Sequence, residues 1–236
     1  NQLKKEVFFY GNPFMEKLFI PKNHDNQFFE IALLPGSRLP ELLNNMSLML
    51  DLLENISKNK YFRNIRFKFA LVNDFNYEHV AQILDKREWE LLNNKIEVGN
   101  ITYKYKSISV DFCWNSFEKI LCNSNMVISM AGTAAEQAIG LAKPVIQVIG
   151  GGPQFTKSFA DAQRRLLGEF VFCALNYKTK QQQIDQTVLL ILKTIYLIKL
   201  DSSFILSCKK NAKERLGERG SVLKLSSDIY NRILND

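Results

Sequence analysis

The chain has 236 residues, of which 46% are hydrophobic and 23% charged, the balance of a globular protein with one substantial core. Its 31 Lys and Arg against 24 Asp and Glu leave a net charge of +7, which favours anionic partners without choosing among nucleic acid, membrane and phosphorylated metabolites. The basic clusters at Lys58, Lys60, Arg63, Arg66 and Lys68 and at Lys209, Lys210, Lys213 and Arg215 lack the aromatic interleaving of a single-strand reader, so nucleic acid is not expected as a partner. Cys113, Cys122, Cys173 and Cys208 form no C-x-x-C pair, which argues against a zinc ribbon or disulfide scaffold and for a reducing, cytoplasmic setting. Only His24 and His79 are available, neither beside a Cys or carboxylate cluster, and neither a metal nor any other cofactor is expected.

The chain opens on Asn1 with no signal-peptide pattern, then a strand expected at 7–10 and a Gly11-Asn12-Pro13 turn; it reads as a piece of a longer protein. From Phe28 short apolar runs alternate with stretches of helical period, the pattern of βα units and a parallel sheet. Residues 31–34 are a buried strand, Pro35-Gly36-Ser37-Arg38 a tight loop, and Glu41–Ile56 a helix with Leu42, Met46, Met49, Leu50 and Leu53 on one face. A strand over 66–72 and a helix over Tyr77–Leu84 follow, then short strand candidates at Ile96–Val98 and 107–110.

Next come a helix over 116–122, a strand over 126–130, the turn Ala131-Gly132-Thr133 and a helix over 134–141. A strand over 144–149, the break Gly150-Gly151-Gly152-Pro153, a helix over Lys157–Leu167 and a strand over 170–175 complete the sheet, and the remainder is helical. Within that tail, 184–200 is apolar nearly all round but interrupted by Lys193 and Lys199. It sits at the short limit of the roughly 20 residues that span a bilayer, so a helix buried against the sheet is expected. No repeat and no Pro-, Gly- or Ser-rich linker divides the chain.

Three strand-end loops carry candidate chemistry, because ligands of open α/β sheets bind outside the carboxyl ends of the strands. In the first, Gly36 lets backbone approach an anion, the Ser37 hydroxyl donates to a phosphate oxygen and Arg38 neutralises it; a plain turn with a solvated arginine fits the same residues. In the second, Ser129 to Glu136, the helix-start amides around Gly132 and Thr133 suit an anion, and Glu136 suits two vicinal hydroxyls such as those of a ribose. The i, i+3 spacing of Thr133 and Glu136 equally fits a capping box. In the third, the glycine run allows close passage of backbone at an entropic cost, and Gln154 and Gln163 either hydrogen-bond sugar hydroxyls or lie in a flexible loop and on a solvent-facing helix position. There is no P-loop, no Gly-x-Gly-x-x-Gly after a strand and no Ser–His–Asp set.

Together these loops resemble the C-terminal half of glycosyltransferases with two facing Rossmann-like domains, the GT-B fold, and in particular lipid-A-disaccharide synthase and its relatives. Ile31-Ala32-Leu33-Leu34-Pro35-Gly36-Ser37-Arg38 is similar to that family's LLPGSR signature, and Gly11-Asn12-Pro13 to the turn at its interdomain crossing. Ala131-Gly132-Thr133-Ala134-Ala135-Glu136, followed by Lys143-Pro144-Val145-Ile146, resembles its GT-x-x-x-E stretch and the strand beyond. The likeness runs over residues 7–168. The stretch from Gly150 to Thr156 and residues 160–168 depart from the synthase's own pattern, which places the chain with a relative of it.

The resemblance implies an α/β fold in which residues 28–236 form a Rossmann-like parallel sheet flanked by helices, with a helical C-terminal tail, after an interdomain crossing segment at 1–27. It implies that Gly36, Ser37, Arg38, Gly132 and Thr133 meet the diphosphate of a UDP-sugar donor. Glu136 would take the ribose, Gln154 or Gln163 would lie near the donor sugar, and backbone near 109–114 would read the base. The acceptor site and a general base would come from the protein's own N-terminal domain, so no catalytic residue is assigned in this chain. The implied activity is transfer of a hexose or N-acetylhexosamine to an acceptor, a lipid at the membrane surface being one option. A UDP-sugar epimerase of the same fold and a non-catalytic nucleotide-binding module are the alternatives.

Overall fold

The computed structural model describes residues 8–18, 28–150 and 156–235. Strand β1 (Phe29–Leu34) is buried over its last five residues, as expected of a run apolar on both faces that has helices on each side. It pairs in parallel with β2 (Ile65–Leu71) and with β6 (Met126–Ser129). Beyond β2 lies β5 (Ile108–Trp114), and beyond β6 come β7 (Val145–Gln147) and β8 (Val171–Cys173), all parallel. Numbered by themselves, these parallel strands stand in the order 3-2-1-4-5-6, a doubly wound sheet whose order reverses between β1 and β6. β3 (Glu90–Lys95) and β4 (Asn100–Tyr105) extend it past β5 as an antiparallel hairpin, giving a mixed, eight-stranded sheet.

Eight α-helices are described: α1 (Glu41–Ile56), α2 (Tyr77–Leu84), α3 (Phe117–Asn123), α4 (Gly132–Gly140), α5 (Lys157–Leu167), α6 (Lys180–Leu200), α7 (Ser202–Leu216) and α8 (Ser221–Asn235). On one face α1, α2 and α6 pack on Ile31, Leu33, Phe67, Phe69 and Phe112 through Met46, Leu50, Leu53, Val80 and Ile191. Phe69 and Phe112 stack at 4.9 Å between centroids, a geometry worth about 1 kcal/mol beyond the area it buries. The other face is built from smaller side chains. Ala32, Ala70 and Val127 let α3, α4 and α7 approach through Leu121, Ala135, Ala138 and Cys208. Three layers result, helices on both sides of one sheet.

The fold class read from the sequence is therefore the one observed, and α1, α2 and α5 span the residues their periodicity indicates. Three local expectations fail. Residues 8–10 form no strand, and Val7 lies outside the described residues; the chain instead turns at Gly11 (φ 101°) into a 3-10 turn, Pro13–Lys17, capped by Asn12. Ile96–Val98 is a 3-10 turn ended by left-handed Gly99, with a strand on each side of it. α6 buries one face only, through Ile184, Thr187, Ile191, Thr194 and Ile195, while Leu189, Tyr196 and Leu200 are open. Among the described residues no helix is long and apolar enough to cross a membrane.

The first described segment meets the start of α8. The Glu16 carboxylate accepts hydrogen bonds from the amides of Gly220 and Val222 at the start of α8, and Asn12 N–H donates to the Leu216 carbonyl at 2.7 Å. The far side of α8 stays bare, with Leu223, Tyr230, Ile233 and Leu234 each 63–73% exposed.

Candidate functional site

The sheet order reverses between β1 and β6, and in that crevice, outside the carboxyl ends of β1, β2 and β6, lies a cleft of about 430 Å³. Its first wall is the loop after β1. Pro35 is buried, Gly36 adopts φ 104°, and Ser37 and Arg38 are exposed. The positive φ needs glycine, and a Cβ there would sit 3.6 Å from the Met130 carbonyl of the facing loop. Asn45, 2% exposed on the second turn of α1, donates from Nδ2 to the Pro35 carbonyl at 2.8 Å. That bond ties the loop to the helix it feeds. Pro40 precedes α1 and makes no side-chain cap bond, so the helix opens on the cleft with Glu41 as its first residue.

The second wall is the loop after β6. Met130 N–H donates to the Leu34 carbonyl at 2.8 Å, which sets the two loops side by side. The Ser129 hydroxyl accepts from Ala131 N–H and donates to the Ala131 carbonyl, both at 3.0 Å. Helix α4 then begins at Gly132, with Ala131 at the N-cap and no side-chain cap. The capping-box reading of Thr133 and Glu136 is thereby excluded: Thr133 lies inside the first turn rather than ahead of it. Two helix N-termini without side-chain caps thus face one cleft. At α1 the Leu42 and Leu43 amides donate to the Arg38 and Pro40 carbonyls, so it is the first-turn amides of α4, with the dipoles of both helices, that favour an anion there.

Gly36, Ser37, Arg38, Gly132 and Thr133 all line this cleft. Arg38 makes no ion pair with a described residue, so its guanidinium is available to a ligand. Glu41 is the carboxylate of the lining, and Ala70, Leu71, Val72 and Phe117 form its apolar side. Residues 109–114 lie on β5, whose end registers with that of β2 at Leu71 and Trp114; Phe117, just past them, is what reaches the cleft.

The remaining residues singled out by sequence lie elsewhere. Glu136 sits one turn along α4, outside the lining, half-buried and without a hydrogen-bond or ionic partner among the described residues. Burial pushes its carboxyl above the ordinary 4.5. Gln163 is 6% exposed. It accepts a hydrogen bond from Gln147 Nε2 at 2.8 Å, and its own Nε2 would lie 3.4 Å from a Cβ added at Gly132. It packs behind the first turn of α4. Gln154 falls outside the described residues, as do Gly151 to Phe155. Sequence reasoning missed Glu41, Asn45, Phe117 and Gln137, all on the cleft. Asn45 carried a signal, a polar residue on the otherwise apolar face of α1. Among the described residues no cluster of three or more His, Cys, Asp and Glu is placed to hold a metal ion.

No family model and no curated protein matches the chain. Solved structures do. A putative UDP-N-acetylglucosamine 2-epimerase from Listeria monocytogenes is similar at 13% identity with a TM-score of 0.51, over 89% of this chain and 47% of that one. UDP-GlcNAc 2-epimerase from Neisseria meningitidis, solved bound to UDP-GlcNAc, gives 14% identity and 0.48 over 92% and 46%. TarM gives 14% and 0.46 over 89% and 36%. The chain therefore spans less than half the length of each. At these identities what is shared is the fold.

Proposed function

We propose that the cleft binds the diphosphate of a UDP-sugar, and that the complete protein is a glycosyltransferase related to lipid-A-disaccharide synthase, transferring a hexose or N-acetylhexosamine. The observation that carries this reading is the convergence of the α1 and α4 N-termini, neither with a side-chain cap, and Arg38 on one cleft. Its volume falls within the roughly 300–1,000 Å³ typical of ligand pockets. Amides at Gly132 and Thr133, the Ser37 hydroxyl and the Arg38 guanidinium supply donors for phosphate oxygens. The apolar wall of Ala70, Leu71, Val72 and Phe117 suits a base. Glu136 is assigned to the ribose hydroxyls, which would give its unpartnered carboxylate donors to accept from.

The same parts suit the chemistry. When the sugar–phosphate bond breaks, negative charge grows on the departing diphosphate, and fixed helix amides with Arg38 stabilise that charge without reorganising. The other reactant and a general base would come from a second domain of the protein. The present chain then binds nucleotide but does not turn over.

A UDP-sugar epimerase is the second reading, favoured by the fold likeness to the Listeria structure. Incubation of the complete protein with UDP-N-acetylglucosamine alone separates the two: epimerised donor without any acceptor selects the epimerase. The nucleotide site itself is tested by melting this chain with UDP. Ligand at about 100 times its Kd stabilises by about 2.7 kcal/mol. No shift at millimolar UDP, or the same shift with inorganic phosphate, rejects the site.

A further inference from the structure

We propose that the outer edge of β3 is a homotypic interface, on which a second copy of this chain pairs antiparallel about a two-fold axis. β3 is the last strand of the sheet and pairs only with β4, and all six of its residues are exposed. An open edge presents a row of backbone N–H and C=O groups ready to pair with another strand. The opposite edge offers no such template: β8 is three residues long, none of them exposed, and α5 and α6 pack against it. Apolar side chains gather at the β3 edge, with Leu91 45%, Leu92 54%, Ile96 43% and Val98 75% exposed.

The charge pattern names the occupant. β3 reads Glu90-Leu91-Leu92-Asn93-Asn94-Lys95, with opposite charges at its two ends. Neither forms an ion pair with a described residue, although Glu90 stands opposite Lys104 on β4. An in-register parallel copy would set Glu90 against Glu90 and Lys95 against Lys95. An antiparallel copy with Leu92 opposite Asn93 sets Glu90 against Lys95 twice, once on each side of the axis. Opposite charges directly across a ladder stabilise it, and like charges destabilise it. A two-fold pairing is also closed, because each copy uses the only long open edge among its described residues.

β3 carries an irregularity between Leu91 and Asn93, a device that usually discourages edge pairing. In this register it meets its own counterpart at the axis, so the two kinks match, while a strand of another sequence meets a mismatch. The pairing joins two sheets into one and leaves the cleft open, since β4, β5 and β2 stand between β3 and β1.

One strand pair is a small contact, so a weak dimer is expected, dissociating in the micromolar range or above. Sedimentation velocity of this chain from about 5 to 500 μM is the test, with circular dichroism and melting to verify that every variant is folded. Glu90→Lys and Lys95→Glu each raise the dissociation constant by about tenfold or more. The double variant Glu90→Lys/Lys95→Glu restores dimerisation, because with both charges exchanged each end of the strand again meets its opposite across the axis. A chain that stays monomeric throughout overturns the proposal. So does a dimer indifferent to both single reversals, which would seat the contact elsewhere, the bare side of α8 included. Loss in both single variants without recovery in the double rejects the register and the interface together.

Discussion

Asn76, Thr156, Thr179 and Asp201 cap α2, α5, α6 and α7 with their side chains, and Glu16 reaches across to close the start of α8. At α1, α3 and α4 the N-cap positions hold Pro40, Ser116 and Ala131, none of which makes a side-chain cap bond. The division follows geography: Glu41, Phe117 and Gly132, the first residues of those three helices, all line the cleft. A missing cap costs about 1 kcal/mol, so three omissions on one rim are a standing loss of stability. At α1 the Leu42 and Leu43 amides are met by the Arg38 and Pro40 carbonyls instead; at α4 the loss makes sense if the amides are reserved for a ligand, because a cap and an anion compete for the same groups. Everywhere else the fold satisfies its own helix ends.

The harshest way to break this contrast is to cap the wrong helix. Ala131 already has extended backbone, φ −138° and ψ 132°, the conformation an N-cap needs. Ala131→Asp is expected to stabilise the protein by about 1 kcal/mol, seen as a melting temperature higher by roughly 2–4 °C, and to lower UDP affinity by about 100-fold or more. Its carboxylate occupies the α4 amides and repels the phosphates. A variant that gains stability and keeps its affinity for UDP, measured by calorimetry, removes α4 from the site. Arg38→Ala sharpens the other wall. Loss of a charge-assisted bond to phosphate, about 1.5–3 kcal/mol, is expected to weaken UDP by about 10–100-fold, and the melting temperature of the free protein should not move.

Asn45→Ala tests what holds the first wall in place. Without Nδ2 the Pro35 carbonyl is left unpaired in a buried position, at about 1–3 kcal/mol. Both melting temperature and UDP affinity should fall, because the loop bearing Ser37 and Arg38 loses its tie to α1. If only stability falls, Asn45 does not position the loop. Thr156→Ala is the matched opposite. It removes a cap 3.2 Å from Phe159 N on a helix none of whose residues lines the cleft, and should cost about 1 kcal/mol of stability with no change in UDP binding.

How much of this was legible beforehand depended on whether residues obey a period. The Leu42, Met46, Met49, Leu50 and Leu53 stripe gave both ends of α1, and the apolar run at 31–34 gave β1 with its loop, because burial imposes a pattern there. The β3–β4 hairpin was hidden for the converse reason: β3 is exposed along its length, so no alternation marks it, and the apolar Ile96 and Val98 drew the strand assignment onto a turn. The Thr133 and Glu136 pair shows a subtler limit. Their spacing fits a cap, but the helix starts at Gly132, and a shift of that size moves Thr133 from the N-cap into the first turn, on the cleft. Gln147, which holds Gln163 behind α4, is separated from it by 16 positions and left no local trace.

Glu136 carries the smallest expected effect and the most specific one, since it sets binding against stability within one residue. Its carboxyl lies in a desolvated place that pushes its pKa above the ordinary 4.5, so the folded chain holds that proton more tightly than the unfolded one. Stability is therefore undiminished below the ordinary value and declines as pH rises through the raised one. Glu136→Gln abolishes that decline. It should leave stability unchanged near pH 4 and raise it slightly at pH 7, by chemical denaturation at the two pH values. Binding moves the other way. A carboxylate accepting from two ribose hydroxyls must be ionised, so wild-type UDP affinity should fall as pH drops toward the raised pKa, while the Gln variant binds weakly at pH 7 and follows a flatter pH profile. Equal pH profiles for the two proteins would leave Glu136 with a cost in stability and no ligand to justify it.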